Sequence, residues 1–157
     1  MKDVFVKAAM HKGTSVVEVL QNCVIFANEA HATITNKEFR DDNQLILEHG
    51  KPMIFGKERN KGLVLEKTRL KSVDIRENGY TQDDILVHDV TLNDPSIHYM
   101  LARMALPEFP VAMGVIRAVE SPTYESLLYS QISSNKAKSP LKTMNDLLRS
   151  GNVFEVK

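Results

Sequence analysis

The chain has 157 residues, of which 43% are hydrophobic and 25% are charged, a balance that predicts a globular protein of one domain or slightly more. Its 20 Lys and Arg residues match its 20 Asp and Glu residues, so it lacks the basic excess that binds nucleic acid or an anionic membrane. The sequence shows no bilayer-spanning apolar run, no signal-peptide pattern and only one cysteine. Together these features predict a cytoplasmic protein in a reducing compartment.

The first elements resemble half of an α/β unit. Residues 2–11 place apolar side chains on one face of a predicted helix, and Gly13 ends it. Residues 14–20 are rich in β-branched side chains and almost continuously apolar, which predicts a buried strand of a parallel sheet. Because a parallel sheet needs several helix–strand units, we interpret this segment as the tail of a larger α/β domain.

The middle of the chain predicts a small antiparallel meander. Residues 27–43 lack a clear period and predict a loop or short irregular helix, and residues 44–49 predict a short apolar element. Short apolar runs joined by Gly and Asn turns predict strands at residues 52–56, 62–66 and 70–76, followed by a shorter run at residues 85–88.

Three later segments each begin with a good N-cap residue followed by proline. They predict helices at residues 95–105, 122–133 and 140–149, with a strand at residues 111–119 and a soft stretch at residues 133–139. Met100, Leu101 and Met104 share helical spacing and are expected to lie in the core.

Cys23 is the first candidate for chemistry. It follows the predicted strand, at the carboxyl end where α/β sheets usually carry their functional groups. Its thiolate could act as a nucleophile, a metal ligand or a redox partner. The alternative is a small, buried apolar residue. With no second cysteine in the chain, a metal site at Cys23 would need co-ligands from elsewhere.

A second candidate combines carboxylates with imidazole. Asp83 and Asp84, together with His88 and Asp89, are residue types that hold divalent metals and would support a metal-dependent hydrolase. The alternative is a solvated acidic turn followed by a histidine at a strand end. The glycine-flanked residues 56–62 do not have the phosphate-binding P-loop form, so we interpret them as a charged turn between strands.

Four stretches, in this order, resemble the carboxyl-terminal part of the β subunit of 2-oxoacid:ferredoxin oxidoreductases, most closely the 2-oxoglutarate type. They are HKGTSVVEVLQNCVIF at residues 11–26, GKPMIFG at 50–56, ILVHD at 85–89 and LPEFPVAMGVIR at 106–117. The resemblance extends from about residue 5 to Tyr124. It implies an α/β fold, with residues 1–43 as the terminal helix–strand part of a thiamine-diphosphate-binding parallel-sheet domain and residues 44–157 as a small α+β extension.

The same resemblance implies specific cofactors. Family β subunits carry thiamine diphosphate and magnesium, and many also hold a 4Fe–4S cluster. The family's Gly-Asp-Gly-Asp cofactor motif and three of its cluster cysteines lie upstream of this region, so the isolated chain is expected to bind none of these groups. The position that matches Cys23 supplies the fourth cluster cysteine in members that have the cluster.

The resemblance therefore implies a portion of an enzyme that is inactive by itself. The assembled enzyme would oxidatively decarboxylate 2-oxoglutarate, pass the acyl group to coenzyme A and reduce ferredoxin. The expected partners are the α subunit, the upstream part of the β subunit and ferredoxin, and self-association is a further expectation. The alternative is a stand-alone, non-catalytic interaction module derived from this fold.

Overall fold

Residues 1–77, 79–152, 154 and 156 are described by the computed structural model, and they group into two units, residues 1–120 and 121–157. The elements of the larger unit are, in chain order, α1 (Lys2–Met10), α2 (Ala32–Thr35), α3 (Arg40–Asn43), β1 (Gln44–Leu47), β2 (Ile54–Phe55), β3 (Lys61–Glu66), β4 (Arg69–Asp74), a 3-10 turn (Gln82–Asp84), α4 (Ser96–Ala102) and β5 (Val111–Gly114). The smaller unit contains α5 (Tyr124–Lys138) and α6 (Met144–Leu148).

Two small sheets give the larger unit a mixed α/β architecture. Strands β1 and β5 pair in parallel, with Leu45 opposite Ala112, and β2, β3 and β4 form an antiparallel meander. The meander predicted from the short apolar runs is confirmed. Gly114 ends β5 with a positive φ, and a side chain there would come within 2.8 Å of the Leu47 carbonyl oxygen, so glycine allows this close approach of the two strands.

Residues 85–88 connect to the meander through backbone hydrogen bonds. The N–H of Leu86 donates to the Leu63 carbonyl, and the N–H of Met53 donates to the Leu86 carbonyl, both at 2.9 Å. The N–H of His88 donates to the Lys51 carbonyl, also at 2.9 Å. The segment is therefore held beside the sheet, where Val87 forms an isolated bridge with Pro52.

The apolar core is formed by side chains from both sheets and from helix α4. Leu45 from β1 and Leu63 from β3 are completely buried, and Leu101 and Met104 reach the same cluster from α4 and the residues after it. The predicted core positions of Leu101 and Met104 are confirmed, whereas Met100 is only half-buried. The buried apolar cluster consists of Leu45, Leu47, Met53, Ile54, Phe55, Leu63, Val64, Val73, Ile85, Leu101 and Met104.

The strand predicted at residues 14–20 is wrong for this chain. The segment carries no strand pairing and is mostly exposed, with Val16 at 91% exposure. β-Branched residues favour extended backbone, but a strand also needs neighbours that take up its N–H and C=O groups. Within the described residues, no other segment supplies those backbone partners. The interpretation of residues 1–43 as the tail of a larger domain stays a prediction.

The helices of the smaller unit begin later than the proline positions predict. Helix α5 starts after Thr123, whose hydroxyl accepts the N–H of Ser126, and it continues through the stretch expected to be soft. Helix α6 starts after Thr143, which forms a capping box with Asp146. In both cases a threonine that bonds the third helical N–H sets the start. None of the described helices is both long and apolar enough to cross a membrane.

Candidate functional site

Cys23 lies in a tight, solvent-exposed turn between residues 23 and 27. The N–H of Ala27 donates to the Cys23 carbonyl at 2.9 Å and closes the turn. The backbone N–H groups of Phe26 and Ile25 in this turn lower the pKa of the Cys23 thiol. Since the Cys23 side chain is exposed, the alternative of a small, buried apolar residue is wrong for this chain. The turn favours the thiolate, the form of cysteine that binds metals and attacks electrophiles.

The residues after Cys23 are apolar and exposed. Val24, Ile25 and Phe26 are each about four-fifths exposed or more. Asn22 helps to fix the approach to the turn, since its side-chain oxygen accepts the N–H of His31 at 3.3 Å. Residues 14–22 thus form an extended segment without strand pairing, and residues 23–26 form an apolar turn whose N–H groups lower the pKa of the thiol. We refer to these residues as the thiol segment.

The four residues of the predicted carboxylate–imidazole site do not converge. The Asp84 carboxylate accepts the N–H and the hydroxyl of Thr81, both at 2.8 Å, and these bonds lower its pKa. The Asp89 carboxylate is bonded in the same way to Thr91, and this also lowers its pKa. In the described ranges, no group of three or more His, Cys, Asp or Glu side chains could hold a metal ion. The metal-hydrolase hypothesis has no site here.

The glycine-flanked residues 56–62 form a turn between β2 and β3, as the sequence predicts. The Lys61 ammonium contacts the Asp42 carboxylate at 2.9 Å, and the Asn60 amide donates to Asp74. Because the Lys61 ammonium already forms an ion pair with Asp42, we interpret the turn as a structural connection between the two strands.

Sequence reasoning missed a pair of buried histidines. His88 and His98 are 1% and 3% exposed, and their rings lie 6.3 Å apart between centroids in a perpendicular arrangement. Each Nε2 lies within 2.9 Å of a backbone carbonyl oxygen, of Val115 for His88 and of Asp89 for His98. Since a carbonyl only accepts, each Nε2 carries the proton, and each buried Nδ1 has no hydrogen-bond partner among the described residues.

Burial lowers the pKa of His88, because the charged imidazolium loses hydration. The neighbouring His98 and His49 lower this pKa further, whereas the bond to Val115 and the Asp89 charge oppose the shift. The pair thus joins α4, the residues after β5 and the segment 85–89. No local pattern predicts this contact, because the two histidines are brought together by tertiary packing.

Comparison with known proteins gives one informative match. The chain is 29% identical over 164 aligned positions to "2-oxoglutarate oxidoreductase subunit KorB" of Mycobacterium tuberculosis (strain ATCC 25618 / H37Rv). The alignment covers 99% of this chain and 42% of that protein. The chain is a distant, partial relative of a 2-oxoglutarate oxidoreductase subunit.

No protein-family model matches the chain, and no solved structure matches it significantly. The similarity to KorB agrees with the coarse part of the resemblance drawn from residues 11–26 and the three later stretches, namely a distant relation to a 2-oxoacid oxidoreductase subunit. The similarity runs along nearly the whole chain, whereas the chain spans less than half the length of the relative.

Proposed function

We propose that the chain is the carboxyl-terminal portion of the β subunit of a 2-oxoacid:ferredoxin oxidoreductase of the 2-oxoglutarate type. The observation that carries this proposal is the similarity to the KorB subunit over 99% of the chain. A stand-alone interaction module is not favoured, because the relative is by its name a subunit of an oxidoreductase and the similarity leaves almost no part of this chain unmatched.

The thiol segment has the exposed surface of an element that packs against a partner. Val16 is 91% exposed and Phe26 is 89% exposed. Among the residues that the structure describes, the backbone between residues 12 and 22 makes no hydrogen bond to other backbone groups. Contiguous exposed apolar surface and unpaired extended backbone are both typical of an interface. In the assembled enzyme, the upstream part of the β subunit covers this segment and takes up its backbone groups.

Cys23 fits the role of one ligand of a 4Fe–4S cluster. Its thiol is exposed, and the N–H groups of the turn favour the thiolate that such clusters bind. Hydrogen bonds to ligand sulfur also tune the reduction potential of a cluster. The cluster would pass electrons singly to ferredoxin, and the other three cysteines would come from the upstream part of the β subunit.

Thiamine diphosphate and magnesium do not fit residues of this chain. The sequence contains no Gly-Asp-Gly-Asp motif, and the described acidic side chains form no cation site. The residues that bind these groups, and the steps of 2-oxoacid decarboxylation and transfer to coenzyme A, therefore belong to the remainder of the enzyme. This chain contributes subunit contact and one cluster ligand.

The proposal is tested by mixing this chain with the upstream portion of the β subunit, produced as a separate polypeptide, and measuring whether the two associate. Sedimentation equilibrium of the mixture should give a complex, and Val16→Asp should weaken its affinity about tenfold or more, since burial of an apolar side chain is replaced by burial of a charge. Val16 is exposed in the free chain, so the variant should keep the fold of the larger unit.

Thr14→Asp is the matched control, because it adds the same charge at an exposed polar position two residues earlier. It should reduce affinity less than Val16→Asp. A mixture in which both polypeptides remain monomeric at tens of micromolar, or a Val16→Asp variant that binds as tightly as the unaltered chain, would show that the thiol segment is not the contact.

A further inference from the structure

Residues 115–120 form the last part of the larger unit, and we call them the strap. They follow β5 without forming a strand of their own, and three hydrogen bonds of 2.8 to 3.1 Å hold them against residues 88–93. These bonds run from His88 Nε2 to the Val115 carbonyl, from the Ala118 N–H to the Val90 carbonyl, and from the Arg117 guanidinium to the Asn93 carbonyl. No residue of the strap is buried, although Ile116 packs against the core.

The His88 ring has a single atom that can take up a further proton. Its Nε2 already carries one, because the carbonyl oxygen of Val115 only accepts. A second proton would bind at Nδ1, which is buried and has no hydrogen-bond partner among the described residues. The charged ring would then be a buried cation with an unsatisfied N–H. Contact with the strap thus opposes protonation of His88, whereas separation of the strap would admit water to the ring.

The charged and titratable groups around His88 do not offset this cost. From α4, His98 places its ring 6.3 Å away, so two imidazolium rings would repel each other. His49, after β1, also opposes a charge on His88, and Arg117 of the strap has the same sign. The Asp89 carboxylate attracts the charge, but it is partly exposed and already accepts two hydrogen bonds. Burial outweighs this attraction, and the pKa of His88 is lowered.

The rest of the larger unit is held by buried apolar contacts. Leu63 of β3 is completely buried, and its N–H donates to the Met53 carbonyl at 3.1 Å. Helix α4 contributes Leu101, which is 1% exposed. Separation of the meander or of α4 would expose these side chains to water, whereas separation of the strap would break mainly polar contacts. The strap can therefore open while the core stays formed.

We infer that His88 and the strap form a proton-sensitive latch, closed at neutral pH and released when His88 takes up a proton at Nδ1. The released state binds a proton that the closed state excludes, so acid favours release. With the strap away, His88 titrates near the ordinary histidine value of about 6.5, and release begins as the pH falls below that value. The latch is a property of this chain alone and does not depend on the enzyme to which it belongs.

The latch is tested by hydrogen exchange of the full chain, measured by NMR at single amides between pH 7.5 and 5.0 and corrected for the intrinsic pH dependence of exchange. The Ala118 amide reports on the strap and the Leu63 amide on the meander. The protection factor of Ala118 should fall by roughly threefold or more as the pH is lowered. At each pH it should stay well below that of Leu63 and respond little to low urea concentrations, because local release exposes little surface.

His88→Gln should remove the pH dependence at Ala118. The glutamine amide can still donate to the Val115 carbonyl, but it does not titrate in this range. His11→Gln makes the same substitution at a histidine outside the pair and should keep the pH dependence of the unaltered chain. A measurement that needs no variant is the titration of the His88 ring, followed by its chemical shifts. Its midpoint should coincide with the fall in Ala118 protection.

Three results would overturn the latch. The first is an Ala118 protection factor that does not change with pH, or a His88 ring that titrates without any change at Ala118. The second is a folded His88→Gln variant that keeps the pH dependence of the unaltered chain. The third is equal protection of Ala118 and Leu63 with the same response to urea, since the strap would then separate only when the whole unit unfolds.

Discussion

Replacement of Cys23 by serine should reduce the iron and acid-labile sulfide of the assembled β subunit to a small fraction of the unaltered content. A serine hydroxyl stays protonated at neutral pH and is a poor ligand for the cluster, while the backbone turn that favours a thiolate is left without a sulfur. Bound thiamine diphosphate should be unchanged, since that cofactor would be held by residues upstream. Iron, sulfide and thiamine diphosphate are measured on the same purified complex.

Gln21→Ser is the control, because it introduces the same residue at an exposed position two residues before the cysteine. The control should retain its iron. If the Cys23→Ser complex also retains a full cluster, Cys23 is not a ligand, and the turn around it serves another purpose.

In the isolated chain, we expect no bound iron and one thiol that reacts with a titrating reagent under native conditions, because the Cys23 side chain is exposed.

Stability of the larger unit should fall as the pH drops below about 6.5, the ordinary pKa of histidine. Burial lowers the pKa of His88, so the unfolded chain takes up a proton at a pH where the folded chain does not. The contribution is therefore fully present above the unfolded pKa and is lost as the pH falls toward the folded pKa. Each unit of difference between the two pKa values corresponds to about 1.4 kcal/mol.

His88→Gln should flatten this pH dependence. The glutamine amide can donate to the Val115 carbonyl as Nε2 does, but it does not titrate in this range. His11→Gln is the control, since His11 makes no side-chain hydrogen bond among the described residues and should leave the pH profile unchanged. Urea unfolding between pH 5 and 8 measures the effect, and identical slopes for the unaltered chain and His88→Gln would contradict this account of the histidine pair.

The sequence predicts those parts of the fold that local signals determine. The meander follows from short apolar runs separated by turn residues, and the core position of Leu101 follows from helical spacing. Met104 is buried as predicted, although it lies two residues beyond the end of α4. The starts of α5 and α6 are shifted because Thr123 and Thr143 compete successfully with the nearby Ser-Pro pairs as caps.

Features that depend on distant parts of the chain are not predicted. Residues 14–20 have the composition of a strand but lack a pairing partner, since strand formation depends on neighbours as much as on propensity. The contact of His88 with His98 arises from packing of α4 against the sheets. Cys23 could be named from its place in the sequence, but the turn whose N–H groups lower the pKa of its thiol is visible only in the structure.

We expect this chain to complete an oxidoreductase that acts on a 2-oxoacid. The most direct measurement is reduction of ferredoxin in the presence of 2-oxoglutarate, coenzyme A and thiamine diphosphate, by the upstream β portion and the α subunit with and without this chain. We expect no turnover by the chain alone, little by the other two polypeptides, and full turnover when all three are combined. Equal rates with and without the chain would contradict the proposed function, and so would substrate-dependent reduction by the isolated chain.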